Sequence, residues 1–196
     1  MPYYIEQLKQ KFYELEWNKV YDFLEFLISI ENYEQYQKSF IWQLNQIFVD
    51  ERAPYKMIDS LVTPLISSEE AEEVGKAIGS KYFPVSNHIK KSLELYSKRP
   101  IADHQNSIKE SISAVESLAR IILDKPSATL GALADELNIH PSFKEAIKKL
   151  YGWTSDQGGI RHSENGKELY VDEKEARYML VQCSALVNYI ISKYGK

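Results

Sequence analysis

Ile108, Ile112, Val115, Ala119 and Ile122 recur at intervals of three and four residues, the spacing that lines up along one side of an α-helix. Ala176, Met179, Leu180, Cys183, Leu186, Val187 and Ile190 repeat the pattern near the C-terminus. Neither stripe can stay in water, and each is long enough to need another helix against it. This constrains the second half of the chain to a helical bundle. Cys183, lying on the stripe, reads as a small buried hydrophobe.

The remaining elements follow from periodicity and punctuation. Helices are expected over 3–15, 18–31 (Tyr21, Leu24, Leu27 and Ile28 apolar, Phe26 flanking) and 33–50 (Phe40, Trp42, Leu44, Ile47 and Phe48). YKMIDSLVTPLI, residues 55–66, changes grammar: it is β-branched, with Asp59-Ser60 placed as a tight turn and Pro64 near an edge. It predicts one short β-hairpin. Ser67 followed by Glu69 and Glu70 marks a helix start, ended near Gly79. Pro84 opens a helix from about 85 to 98, which stops before Pro100. Helices at 105–123, around 130–137, from Pro141 through Leu150, and from the Asp172/Glu175 capping box to Tyr194 complete the reading.

At 196 residues the chain can bury one core or two small ones, and 44% hydrophobic with 27% charged residues is globular composition. No apolar run approaches the roughly 18 residues of a membrane span. MPYYIEQLKQKF lacks an apolar signal core. With a single cysteine besides, the reading is a cytoplasmic protein without an intramolecular disulfide. The one Cys and four His have no zinc-site spacing, and no glycine-rich phosphate loop follows a strand, so neither metal nor cofactor is expected. Residues 1–80 carry a net −7 and residues 81–196 a net +3. The mildly basic second half suits a polyanionic partner.

Chemistry concentrates in YGWTSDQGGIRHSENG, residues 151–166. Gly158 and Gly159 loosen the backbone before Arg161 and His162. Imidazole exchanges protons near neutrality, and guanidinium presents a planar fork to phosphate oxygens. Cleaving RNA through its own 2′-hydroxyl needs both functions and no metal. On the 105–123 helix, Asn106, Glu110, Ser113 and Ser117 share the face opposite the isoleucines, while Ser111 and Glu116 flank the stripe. Asn106, Glu110 and Glu116 are therefore the candidates to position Arg161 and His162. A second Arg–His pair, Arg99 and His104, lies in the connection RPIADH.

SIKESISAVESLARII, HPSFKEAIKKLYGWTSDQGGIRH and ARYMLVQCSALVNYIISK together resemble the HEPN-type domain of AbiJ-like abortive-infection proteins. WNKVYDFLEFLI and YKMIDSLVTPL resemble the α+β AbiJ N-terminal domain that precedes it. The resemblance implies a mainly α protein: an AbiJ N-terminal-like segment over 1–80, with its small hairpin, then a HEPN-like bundle over 81–196. It also implies a homodimer through the C-terminal bundle, an RNA substrate, metal-independent endoribonuclease activity in antiviral defence, and a cognate defence-system partner. HEPN ribonucleases space the Arg and His by four to six residues, whereas Arg161 and His162 are adjacent. A non-catalytic HEPN-fold module that binds nucleic acid or a partner is the alternative.

Overall fold

In the computed structural model, which describes residues 3–64, 67–127, 129–156 and 171–195, the stripes become helices and the β-branched segment a hairpin. The fold is mainly helical with one small two-stranded antiparallel sheet among the described residues. The chain forms two compact units: Met1–Ile66 with Arg99–Ile101, and Ser67–Lys98 with Ala102–Lys196. None of the described helices is long and apolar enough to cross a membrane.

The first unit holds α1 (Tyr3–Glu14), α2 (Trp17–Ser29), α3 (Glu34–Asp50), β1 (Lys56–Ile58) and β2 (Leu61–Thr63). Its core is Ile28, Leu44, Phe48, Met57 and Val62, with Tyr21, Leu24, Phe40 and Tyr55 packed around it. Asp59 turns the hairpin in the left-handed region, φ 56°, which a short polar side chain tolerates better than a bulky one. Trp42 and Ile47, grouped by sequence with Leu44 and Phe48, are exposed instead. Two small strands and one neighbouring helix cover only part of the circumference of α3.

Among the described residues the ribbon has no third strand, so the outward backbone groups of Met57 and Val62 need other partners. Asn45 of α3 supplies both for Met57. Its Nδ2 donates to the Met57 carbonyl at 3.1 Å, and its Oδ1 accepts from the Met57 N–H at 2.7 Å. On the other strand, Glu25 of α2 accepts from the Val62 N–H at 2.8 Å, and Arg99 donates to the Val62 carbonyl at 2.9 Å. The Arg99 side chain, only 9% exposed, also pairs with Glu25 at 2.6 Å and Asp22 at 3.2 Å, and lies 5.8 Å from the Tyr21 ring.

The second unit holds α4 (Ser68–Ile78), α5 (Phe83–Ser97), α6 (His104–Leu123), α7 (Leu130–Glu136), α8 (Pro141–Asp156) and α9 (Glu173–Tyr194). Helix α6 packs on α5 and α9, and α4 on α9. All seven residues of the C-terminal stripe are buried. The Asp172–Glu175 capping box forms as the sequence predicts, and at the helix start expected near Ser67 the structure adds a second box, Ser67 with Glu70. Where α5 meets α6, three fully buried serines interlock. The Ser111 hydroxyl donates to Ser92 Oγ at 2.7 Å, Ser92 donates to the Ser107 carbonyl at 2.8 Å, and Ser107 donates to the Ser92 carbonyl at 2.9 Å. Helix α8 runs six residues beyond the expected end at Leu150.

Asn45→Ala strips both partners from Met57 and should cost about 2–3 kcal/mol in chemical denaturation. A loss under ~0.5 kcal/mol would show that water replaces the amide. Asp22 gives a pH signature. Burial pushes its carboxyl up, but hydrogen bonds from Lys19 and Arg99 outweigh burial and hold it below the usual carboxylate range. A depressed folded value contributes stability above the unfolded value of about 3.9, lost as pH falls through the folded one. Thermal stability should therefore fall below about pH 4, with a slope that Asp22→Asn and Arg99→Met both reduce.

Candidate functional site

Arg161 and His162, with Gly158 and Gly159, lie outside the described residues. The described flanks of their segment are α8, ending at Asp156, and the capped start of α9 at Asp172. Their expected supports all lie on α6.

Asn106 is committed to the start of its own helix. Its backbone N–H donates to Asp103 Oδ1 at 3.1 Å and its side-chain amide donates to Asp103 Oδ2 at 2.8 Å. Burial pushes the Asp103 carboxyl up, but these hydrogen bonds win and leave it below its ordinary range. One turn on, Glu110 carries the most chemically suggestive contact in the second unit. Its Oε2 lies 2.7 Å from Nδ1 of His88 on α5, with each side chain about one third exposed (31% and 32%). A carboxylate on Nδ1 selects the tautomer in which Nδ1–H donates and Nε2 keeps the lone pair. That is the arrangement by which a carboxylate orients a histidine base. Lys91, one turn after His88, bonds Glu94 at 3.0 Å. Its ammonium is held above the ordinary lysine range chiefly by Glu94, with a smaller pull from Glu110.

Glu116 sits on a different side of α6, buried beside the isoleucine stripe, with Arg120 at 3.4 Å. Asn106 and Glu110 thus share an accessible face, and Glu116 guards the border of the core. Ser113, between them, is turned back onto its own helix and donates to the Lys109 carbonyl at 2.8 Å.

His88 is the functional candidate that sequence reasoning missed. The signal was present: His88 lies three residues after Val85 and four before Ser92, both buried, so it borders the stripe of α5. Arg99 is a structural clamp, and His104 opens α6 with its ring 6.1 Å from that of Tyr96. Burial pushes the Cys183 thiol up to about 12, so it is no nucleophile at neutral pH. Among the described residues no group of three or more His, Cys, Asp or Glu converges as a metal site requires.

No curated protein and no solved structure matches the chain. Residues 1–80, spanning α1 to α3, the hairpin and α4, match the family AbiJ N-terminal domain 4, and over that span the chain is AbiJ-like.

Proposed function

We propose that this chain is an abortive-infection protein of bacterial antiviral defence whose C-terminal part is a HEPN-like, metal-independent endoribonuclease. The observation that carries the defence assignment is the match of residues 1–80 to AbiJ N-terminal domain 4. The ribonuclease assignment is supported by the chemistry of the residues between α8 and α9 and by a helical unit that leaves polar groups on the accessible face of α6. In this reading Arg161 clamps the phosphate oxygens and His162 moves the proton. The 2′-oxygen attacks phosphorus as its proton leaves, and the 5′-oxygen departs with a proton, giving a 2′,3′-cyclic phosphate and a 5′-hydroxyl. Of the expected supports, Glu110 is the one placed to orient an imidazole, as it does for His88, while Asn106 is bonded to Asp103 and Glu116 lies buried on another side of α6.

The adjacency of Arg161 and His162 favours a second reading. Side chains on neighbouring extended residues point opposite ways, so a segment that never converges them would bind RNA or a cognate partner without cutting.

Incubation with RNA in EDTA separates the two. Cleavage should persist in chelator and fall about 10²–10⁴-fold in His162→Ala. Arg161→Lys keeps the charge but loses the fork, so it should be nearly as damaging. Unchanged cleavage in His162→Ala would move the base elsewhere, with His88→Ala the next variant to measure. Salt-sensitive RNA binding without cleavage would establish the second reading.

A two-fold pairing through the C-terminal bundle would bring two copies of this segment to one RNA strand. Light scattering at micromolar concentration should report about twice the 22.7 kDa of one chain. A strict monomer would remove the composite site.

A further inference from the structure

Helix α1 is amphipathic yet buries none of its residues. At about 100° per residue, Tyr4, Ile5, Leu8 and Phe12 fall within roughly a third of its circumference. Their exposure is out of keeping with that pattern: Tyr4 is 80% exposed and Leu8 52%. Lys9 and Lys11 flank this stripe on its two sides, while Glu6, Gln10 and Glu14 lie opposite. The same unit carries an open groove between α2 and α3, of about 350 Å³, lined by Leu27, Ile28, Tyr36, Ser39, Phe40 and Glu31. It lies at the C-terminal end of α2, and the carboxylate of Glu31 gives that end its negative charge. A bare apolar stripe with lysine edges therefore coexists with an open apolar groove that has an acidic edge.

We propose that the groove receives α1 of a second copy, the two chains exchanging their first helices reciprocally within a two-copy particle. The connection to the chain's own α2 is only Leu15 and Glu16, without glycine or proline, and Glu16 is extended at φ −61°, ψ 150°. Phe12 meets the chain's own α2 edge-on at Phe23, ring centroids 6.1 Å apart, while the rest of the stripe stays bare. A short, extended hinge favours handing the helix to a neighbour over folding it back. The exchange is closed and isologous. Counting helix and groove faces together, the newly covered Tyr4, Ile5 and Leu8 of two stripes approach the ~1,200 Å² of a stable interface. A bilayer is the poorer fit, since Glu6, Lys9, Lys11 and Glu14 cancel and anionic lipid attracts net positive helices.

The test uses the full chain, whose one native cysteine, Cys183, is buried. A Leu8→Cys/Ser39→Cys double variant, both positions exposed, is treated with a short bis-maleimide and run on a denaturing gel. The expected product is a covalent dimer, and a mixture of the two single variants should give the same band. Lys9→Glu with Lys11→Glu, or added salt, should lower its yield several-fold. A link closed within one chain would overturn the proposal by giving the groove to its own α1. Linking by Leu8→Cys alone, which means α1 against α1, would overturn it too, as would no link in a double variant with the parent's circular dichroism. The cross-link is read without RNA, so its failure leaves the ribonuclease reading untouched.

Discussion

A two-stranded ribbon has two free edges, and the first unit is organised around satisfying them. Met57 and Val62 face each other in the register and turn their backbone groups outward, where a larger sheet would add strands. Side chains stand in. The carboxamide of Asn45 mimics a peptide group, with one donor and one acceptor, and matches Met57 in both. Val62 receives its acceptor from Glu25 and its donor from Arg99. Because Glu25 and Arg99 are opposite charges 2.6 Å apart, each also offsets the desolvation of the other. Asn45 and Glu25 sit on α3 and α2, so closing the ribbon edges fixes both helices against it. Met57 and Val62 can then turn their side chains into the core with Ile28, Leu44 and Phe48.

The second unit solves a different problem. Two long helices, α5 and α6, approach at small residues, and their buried hydroxyls would be costly unless paired. Ser92, Ser107 and Ser111 pair among themselves and with two backbone carbonyls, so the contact is polar without orphaned groups. With the middle of α5 and α6 spent on this knot and on isoleucines, the titratable groups are displaced to the helix borders. His88 and Glu110 occupy such a border, and so does Glu116.

The parts of this architecture legible in sequence were those written locally. The stripes of α6 and α9, the helix start at Ser67, the Asp172 capping box and the Asp59 turn each draw on neighbours within a few residues, so spacing alone exposes them. What escaped was written at long range. Arg99 meets Asp22 across 77 positions, and nothing in RPIADH announces that its arginine belongs to α2 and β2. His88 and Glu110 lie 22 positions apart on different helices, so each looked like a solitary polar residue until the pairing of α5 with α6 was known. Trp42 and Ile47 show the converse limit. Periodicity tells which residues share a side of a helix, but only the neighbours decide how wide a side is covered.

The charge of the C-terminal half bears on how it would meet RNA. Its net +3 does not amount to a bare basic patch, because many of its cations already face carboxylates. Lys91 meets Glu94 at 3.0 Å, Lys148 meets Asp135 at 2.6 Å, and Arg177 faces Glu70 at 3.8 Å. Solvent screens such lysine pairs, so a phosphate can take over the cation at little cost. Each exchange nevertheless returns a carboxylate to the neighbourhood of the polyanion. Bulk attraction is therefore weak, and RNA binding by this half, as proposed, would have to come from a few well-placed contacts. In the ribonuclease proposed above, Arg161 next to His162 in the sequence would supply such a contact. On that reading, the placement of one planar guanidinium would count for more than the net charge of the half that carries it.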